Sequence, residues 1–279
     1  MKHIVGFSGG IDSQAAARWV LNRFPREDVI LLNSNAGGHE SPLTVDFIRR
    51  YSETVHPVVV VEPIHADMWL TPGHAETRGY DSDAPLTFLD MIKIKGRPPS
   101  RKAQFCTELL KLRPALRWIR ANLAGQEWTR YTGLRRDESD PRKDTPPEEW
   151  DDWFECRVVH PIMDWTKQMC FDYVLAHGEE VNPLYAMGFN RVGCAPCINS
   201  GRDDIRNWAK RFPEMIERVR TYERESGRTF FHPMVPGLAT NNIDQVVAWA
   251  NEVPRGKGQL SLEVLLPPPV CESKFGLCG

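Results

Sequence analysis

The sequence predicts an α/β protein built on a doubly wound parallel sheet, with a helical, cysteine-bearing extension toward its C-terminal end. Short apolar runs alternate with segments of helical spacing through the N-terminal part of the chain, an alternation typical of parallel sheets. Polar turns follow the first and second of these runs. Because parallel strands end at one edge of the sheet, both turns should lie at that edge, where such folds bind ligands.

The first βαβαβ unit is predicted from the hydrophobic pattern. An apolar run that includes Ile4, Val5 and Phe7 forms the first strand, and an alanine-rich helix follows it. Residues 29–32 form a buried second strand, and residues 33–40 form a polar loop at the ligand-binding edge. A helix over residues 42–54 and a third strand over residues 58–61 complete the unit.

The remaining elements are spaced more widely. Residues 107–123 have helical spacing, and the run 128–132 reads as a strand that ends in Gly133. The proline-bearing segment 135–150 is either a solvated linker or a loop that grips a ligand. Helices are predicted over residues 167–177, with Thr166 as N-cap, and over 203–225. We expect two regions: an α/β domain over residues 1–165, and a helical region over 166–279 that packs on it.

The turn after the first strand has the composition of an anion-binding site. Gly9 and Gly10 allow the backbone N–H groups to point inward, and Ser8 and Ser13 add hydroxyl donors at the start of a helix. A phosphate or pyrophosphate fits such a turn. Asp12 would repel a bare phosphate, so its presence predicts a cation such as Mg²⁺ in the same site.

Composition limits the partners and the compartment. The formal net charge of −2 excludes a general polyanion-binding surface, so any contact with nucleic acid must be local. No apolar stretch approaches the roughly 20 residues of a membrane helix, and the N-terminus leads straight into a strand, so we expect a cytoplasmic protein. Its cysteines then read as thiols or metal ligands, with Cys156 and Cys170 interpreted as buried packing residues.

The other cysteines form a candidate metal or redox site. Cys194 and Cys197 make a CxxC motif, which suits a redox dithiol, half of a zinc site, two packing thiols or part of an iron–sulfur cluster. Cys106 stands at the head of a helix, where the helix terminus favours a thiolate. Cys271 and Cys278 are the remaining partners.

Five blocks of sequence occur in an order that is similar to one family. They resemble the phosphoadenosine phosphosulfate reductase superfamily over nearly the whole chain, and they look most like the PP-loop proteins of bacterial and phage genomes and the DNA-phosphorothioation PP-loop protein. The blocks are SGGIDS, FCTELLK, TGLRRDES, HPIMDWT and NPLYAMGFNRVGCAPC. The resemblance implies an adenine nucleotide alpha hydrolase-like fold and a bound adenine nucleotide.

In many members of this superfamily cysteines also hold a 4Fe–4S cluster. The resemblance implies Cys106, Cys194 and Cys197 as ligands here, and Cys271 is our choice for the fourth ligand, ahead of Cys278. One cysteine of the family's Cys-Cys pair is replaced by Phe105. A cluster with three protein thiolates therefore stays open as an alternative.

Two departures bear on the reaction. The complete SGGIDS turn with Asp12 is similar to enzymes that cleave ATP to AMP and pyrophosphate, which favours an ATP-dependent sulfurtransferase. The C-terminal tail with Cys278 is loosely similar to that of reductases that attack a sulfonucleotide and release sulfite, and this is the alternative. A third hypothesis is that the protein is a nucleotide-binding subunit that catalyses no reaction.

The expected site combines these parts. ATP should place its phosphates on the turn, with Mg²⁺ near Asp12 and the adenine near Asn33 and Ser34, and we also assign Gly133 to this site. Arg191 would link the cluster to the substrate. The residues expected to clamp phosphates or neutralise developing charge are Lys111, Arg135, Arg136 and Arg142. Expected partners are a nucleic acid or small-molecule acceptor, a sulfur donor protein or reductant, and a second copy in a homodimer.

Overall fold

A computed structural model describes residues 1–71 and 73–252. The strands of this part of the chain form one six-stranded sheet in the order β3-β2-β1-β4-β6-β5. All neighbouring strands are parallel except β5, which runs antiparallel to β6 at one edge. The strands are β1 (Lys2–Gly6), β2 (Val29–Ser34), β3 (Val58–Val61), β4 (Trp128–Tyr131), β5 (Glu148–Asp151) and β6 (Cys156–Val159).

Helices cover both faces of the sheet, which confirms the predicted doubly wound α/β fold. They are α1 (Ile11–Leu21), α2 (Pro42–Thr54), α3 (Phe88–Lys95), α4 (Phe105–Thr107), α5 (Arg113–Asn122), α6 (Lys167–Ala176), α7 (Arg202–Arg211), α8 (Pro213–Ser226) and α9 (Ile243–Asn251). Helix α2 and strand β3 have the predicted bounds. A π turn over Glu108–Leu112 joins α4 to α5.

The strand order places a crevice next to β1. The chain moves from β1 through β2 to β3 on one side and continues with β4 and β6 on the other side. The connections therefore diverge between β1 and β4, which is where open α/β sheets bind ligands at the carboxyl ends of the strands. The SGGIDS turn, residues 8–13, follows β1 at this point.

Two details of the sequence prediction were wrong. The charged segment 203–225 is two helices, since α7 ends at Arg211 and α8 begins at Pro213. Proline lacks the N–H that a continuous helix needs, but it is well suited to the first position of a new helix. Strand β5 was predicted as loop, because its side chains are largely exposed and polar and give no apolar alternation.

The C-terminal helices pack on the α/β part of the chain. One hydrophobic cluster joins α3 and the π turn to α7, α8 and α9, with Trp208 fully buried in it. A second cluster joins Val5 and Phe7 of the first strand region to Cys170 and Val174 of α6. Thr166 caps α6 as predicted, since its hydroxyl accepts a hydrogen bond from the Met169 N–H at 3.2 Å. The division near residue 165 stays a prediction. Within the described ranges, no helix has the length and apolar character needed to cross a membrane.

Candidate functional site

The SGGIDS turn is closed by its own serines. The Ser13 hydroxyl donates to the Gly10 carbonyl at 2.8 Å and accepts from the Ser8 N–H at 3.1 Å, and the two serine hydroxyl oxygens lie 3.1 Å apart. The Ile11 N–H, at the start of α1, donates to the Tyr185 hydroxyl at 2.9 Å. These bonds fix the turn against the N-terminus of α1, whose partial positive charge favours an anion.

Two glycines in this region are required by space. Gly9 has φ +78, and a Cβ there would lie 3.1 Å from side-chain carbons of Ile48 and Thr44. A Cβ on Gly133 would lie 2.6 Å from the backbone carbonyl carbon of Asp12 and 2.8 Å from the Ser13 backbone nitrogen. The absence of a side chain at Gly133 therefore lets the end of β4 contact the start of α1 directly. This places Gly133 behind the turn, and its assignment to the nucleotide site stays a prediction.

Asp12 is held by groups from two distant segments. The Arg135 Nε donates to Asp12 Oδ1 at 2.8 Å, and Arg135 also pairs with Asp137. The Arg135 side chain is 5% exposed, so its charge acts in a largely water-excluded setting. Burial raises the pKa of the Cys170 thiol, and the nearby charge of Asp12 and a hydrogen bond to it raise that pKa further. Cys170, interpreted from sequence as a packing residue, thus also contacts Asp12.

A second group of charges lies next to Asp12. Arg142 forms an ion pair with Glu138, and its side chain is 4% exposed. The Arg191 Nη2 lies 3.7 Å from the other oxygen of Glu138. The Arg191 Nη1 is buried and has no hydrogen-bond partner among the described residues. We call Glu138, Arg142 and Arg191 the Glu138 cluster.

Arg136 lies apart from these groups. It forms an ion pair with Asp164 and donates to the Thr145 carbonyl at 2.9 Å. Its side chain is 35% exposed. The contact with Asp164 ties the segment after β4 to the loop before α6, and the contact with Thr145 lies within the segment between β4 and β5, so the structure gives Arg136 a loop-bracing position and Arg135 the contact with Asp12. The predicted phosphate role of Arg136 stays a prediction without a contact to support it.

One cleft reaches from Ser8, the first residue of the SGGIDS turn, to the cysteines. It encloses about 1130 Å³, counting the part open to solvent. Its walls include residues that the sequence assigned to the nucleotide and to the metal: Ser8, Asn33, Ser34, Cys106, Lys111, Cys194 and Cys197. The Asn33 amide donates to the Phe7 carbonyl at 2.8 Å, and the Ser34 hydroxyl donates to the Lys111 carbonyl at 2.9 Å. These bonds join the ends of β1 and β2 to the π turn.

Lys111 is the cation nearest to the thiols in this cleft. Burial acts to lower its pKa, but the nearby Cys194, Glu40 and Cys197 outweigh burial and raise the pKa above the usual range. Burial raises the pKa of Cys106 and of Cys194 to about 12 each, and Lys111 opposes this rise. Burial therefore favours the neutral thiol at Cys106 and Cys194, and Lys111 favours the thiolate.

The CxxC loop is anchored to the loop after β2. The backbone of Glu40 pairs with that of Cys194, and the Ala195 N–H donates to the His39 carbonyl at 2.8 Å. Burial lowers the pKa of His39 to about 3, so its ring is neutral, and Nε2 donates to the Pro196 carbonyl at 2.9 Å. Sequence reasoning placed the polar loop 33–40 at this edge but did not single out His39 or Glu40. The one sequence feature that could have pointed to these two residues was their position in the polar loop after β2.

Three cysteines of the predicted ligand set lie within the described residues, and their role as metal ligands stays a prediction. Cys106, Cys194 and Cys197 line one cleft, although they come from segments far apart in sequence. Within residues 1–71 and 73–252, no group of three His, Cys, Asp or Glu side chains is arranged to hold a single metal ion. Cys271 and Cys278 lie outside the described residues, so the fourth ligand and the C-terminal nucleophile stay predictions.

The two remaining sequence interpretations concern Cys156, a packing residue, and His160, whose position before Pro161 is more typical of a structural residue than of a base. Cys156 is buried in β6, in the core cluster on one face of the sheet. The His160 ring lies 2.7 Å from the Thr132 hydroxyl and 3.3 Å from Glu149, which joins the ends of β4 and β6 to β5. Both have the structural surroundings expected of them.

Comparison with known proteins identifies the family. An uncharacterised 37.8 kDa protein of Escherichia phage 186 is 28% identical and is matched over 99% of this chain and 96% of its own length. The adenosine 5'-phosphosulfate reductase of Allochromatium vinosum is 35% identical over 67% of this chain and 75% of that enzyme. The reductase of the same name from Streptomyces coelicolor is 40% identical, but the match spans only 39% of that enzyme.

Among solved structures, a phosphoadenylyl-sulfate reductase from Candida auris aligns with a TM-score of 0.47 at 16% identity, over 70% of this chain and 81% of that one. The family model of the phosphoadenosine phosphosulfate reductase domain matches residues 2–200 of this chain. These residues include the SGGIDS turn, the Glu138 cluster and the CxxC loop. The chain belongs to the phosphoadenosine phosphosulfate reductase superfamily.

Proposed function

We propose that this protein is an ATP-dependent sulfurtransferase that activates an oxygen atom of its acceptor by adenylation. The acceptor oxygen attacks the α-phosphorus of ATP, and pyrophosphate leaves with the electron pair of the broken P–O bond. A sulfur nucleophile then displaces AMP from the activated acceptor. The observation that carries this proposal is the complete SGGIDS turn: its Asp12 contacts Arg135, and its Ser8 lines the same cleft as Cys106, Cys194 and Cys197.

The chain's own residues have separate tasks in this scheme. The SGGIDS turn binds phosphate oxygens through backbone N–H groups and the start of α1. Asp12 holds Mg²⁺, and Arg135 fixes the orientation of the Asp12 carboxylate through the 2.8 Å contact. Lys111, which lines the same cleft as Ser8, neutralises charge that develops on the departing phosphate. Asn33 and Ser34 are already fixed by backbone acceptors, so they provide a rigid wall for the adenine.

An iron–sulfur cluster is a further part of the proposal. Cys106, Cys194 and Cys197 would hold it with Cys271, and the supporting observation is that the first three line one cleft although they come from distant segments. When bound, the cluster would supply an iron at which sulfur is held or electrons are passed. The acceptor class that we propose is a nucleic acid, with a sulfur donor protein or reductant as partner and a homodimer as the assembly.

A second function is favoured by the relatives that are named adenosine 5'-phosphosulfate reductases. In that case the cleft binds a sulfonucleotide, and a thiolate, with Cys278 as candidate, attacks its sulfur and displaces AMP. A second thiol or an external reductant must then release sulfite from the thiosulfonate. No ATP is cleaved in this reaction.

The two functions differ in their products. Purified protein is incubated anaerobically with Mg²⁺-ATP and nucleic acid, and separately with adenosine 5'-phosphosulfate and a dithiol. Pyrophosphate and AMP from the first mixture support the sulfurtransferase, and sulfite from the second supports the reductase. If neither product forms and the protein binds ATP or AMP tightly, the third hypothesis is supported: a nucleotide-binding subunit of a larger complex.

A further inference from the structure

The Glu138 cluster lies beside the SGGIDS turn, and both of its arginines face one carboxylate. Arg142 is paired with one oxygen of Glu138, and Arg191 lies 3.7 Å from the other. Arg135 is likewise paired with Asp12 and Asp137. Each arginine next to the turn therefore faces a carboxylate, so an incoming phosphate has to compete for these side chains.

The surroundings of Glu138 make this competition strong. The side chains of Glu138 and Arg191 are each 15% exposed, and that of Arg142 is 4% exposed. Solvent screens these charges only weakly. Burial raises the pKa of Glu138, and the Asp12 carboxylate acts in the same direction, while Arg142 and Arg191 lower it. The two arginines therefore stabilise the charged form of Glu138, a second carboxylate next to Asp12.

The contacts of Glu138 resemble those of a bound anion. A carboxylate and a phosphate present the same pair of acceptor oxygens to a guanidinium. Glu138 lies in the short segment between Arg136 and Arg142, where Asp137 and Asp140 are exposed to solvent. The Nη1 of Arg191 is buried and has no hydrogen-bond partner among the described residues, and that leaves one donor for a larger anion than a carboxylate.

We infer that Glu138 is a specificity-determining residue that occupies the Arg142–Arg191 pair as a stand-in for phosphate, and that only a polyphosphate displaces it. This inference rests on the proposed nucleotide function. A diphosphate or triphosphate carries more negative charge than the carboxylate and reaches from the SGGIDS turn to both arginines. A monophosphate on the turn leaves Glu138 in place. Glu138 therefore sets the preference of the site for ATP over AMP.

The test compares pyrophosphate binding to three forms of the full-length protein by isothermal titration calorimetry without Mg²⁺. E138Q removes the competing charge but keeps the shape of the side chain. E148Q is the control, because Glu148 pairs with Arg157 on the edge strands β5 and β6, so this variant also removes one acidic charge and one ion pair. We expect E138Q to bind pyrophosphate about tenfold more tightly than the wild type, which is about 1.4 kcal/mol. E148Q should match the wild type.

A second measurement covers loss of stability in E138Q. Removing one partner of a buried ion pair is destabilising. If Glu138 takes the place of an anion, bound pyrophosphate supplies the negative charge that E138Q lacks between Arg142 and Arg191. Pyrophosphate should therefore raise the Tm of E138Q more than that of the wild type. It should also raise it more than that of E138D, which keeps the charge. AMP should bind wild type and E138Q equally.

Unchanged or weaker pyrophosphate binding by E138Q, with no larger rise in Tm, would overturn the inference and make Glu138 an orienting partner of the arginines. That result leaves the proposed function intact as long as the wild type binds Mg²⁺-ATP. Absence of Mg²⁺-ATP binding by the wild type would instead refute the proposed function itself.

Discussion

The substitution G133A tests how tightly the SGGIDS turn depends on the strand behind it. A Cβ at this position would lie 2.6 Å and 2.7 Å from the carbonyl carbon and oxygen of Asp12 and 2.8 Å from the Ser13 nitrogen. All three are backbone atoms, so no side-chain rotation relieves the contact. The end of β4 and the start of α1 must move apart by several tenths of an ångström.

The expected cost follows from that displacement. Overpacking by one methyl group in a rigid region costs about 1–3 kcal/mol, and we expect the upper half of this range because backbone has to move. The same displacement shifts Asp12 away from its position over the turn. A misplacement of this size lowers a rate that depends on aligned groups by up to about 100-fold.

Two assays separate these effects. Urea unfolding gives the free energy of unfolding, and pyrophosphate release from Mg²⁺-ATP gives the rate. The control is G125A: Gly125 has φ +73 but open space around its Cβ position, so the variant should lose about 1 kcal/mol of stability and keep the wild-type rate. If G133A were as stable as the wild type and bound Mg²⁺-ATP equally well, the inferred contact between β4 and α1 would be refuted.

Three further substitutions test other parts of the site. D12N should lower pyrophosphate release by about 100-fold or more while circular dichroism shows an unchanged fold, because it removes the carboxylate that holds Mg²⁺; an unchanged rate would exclude that role. C194S should lower the iron content measured after anaerobic purification, whereas C156S, in the sheet core, should keep the iron content of the wild type; equal iron in both variants would contradict the ligand assignment. The His39 ring stays neutral in the folded protein but becomes protonated in the unfolded chain as the pH drops from about 6.5 toward about 3. The free energy of unfolding should therefore fall by about 1.4 kcal/mol per pH unit over this range. H39Q should show a shallower decline in urea unfolding between pH 7 and pH 5, and an identical slope would show that other groups cause it.

The strongest sequence predictions concern short segments whose chemistry is local. The SGGIDS turn combines two glycines, two serines and a helix start within residues 8–13, so its shape follows from neighbouring residues. The helix Pro42–Thr54 and the strand Val58–Val61 likewise follow from their own hydrophobic pattern. The cleft that joins this turn to Cys106, Cys194 and Cys197 agrees with the resemblance, because the sheet brings these segments to one edge.

The missed features depend on partners far apart in sequence. Cys170 has the pattern of a packing residue in an amphipathic helix, and only the packing of α6 on α1 brings it to Asp12. Arg135 and Arg136 are neighbours that sequence could not rank, but the backbone turns one toward Asp12 and the other toward Asp164. The sequence did not single out Glu138, because its burial between Arg142 and Arg191 depends on the fold.

The central claim is that one cleft brings an ATP phosphate site next to a cysteine-held cluster. The most direct measurement is a crystal structure of anaerobically purified protein with Mg²⁺ and an ATP analogue that cannot be cleaved between the α- and β-phosphates, with diffraction recorded at the iron absorption edge. We expect phosphates on Ser8–Ser13, Mg²⁺ at Asp12 and an iron signal beside Cys106, Cys194 and Cys197. Phosphates bound away from this turn, or no iron signal at these cysteines, would contradict it.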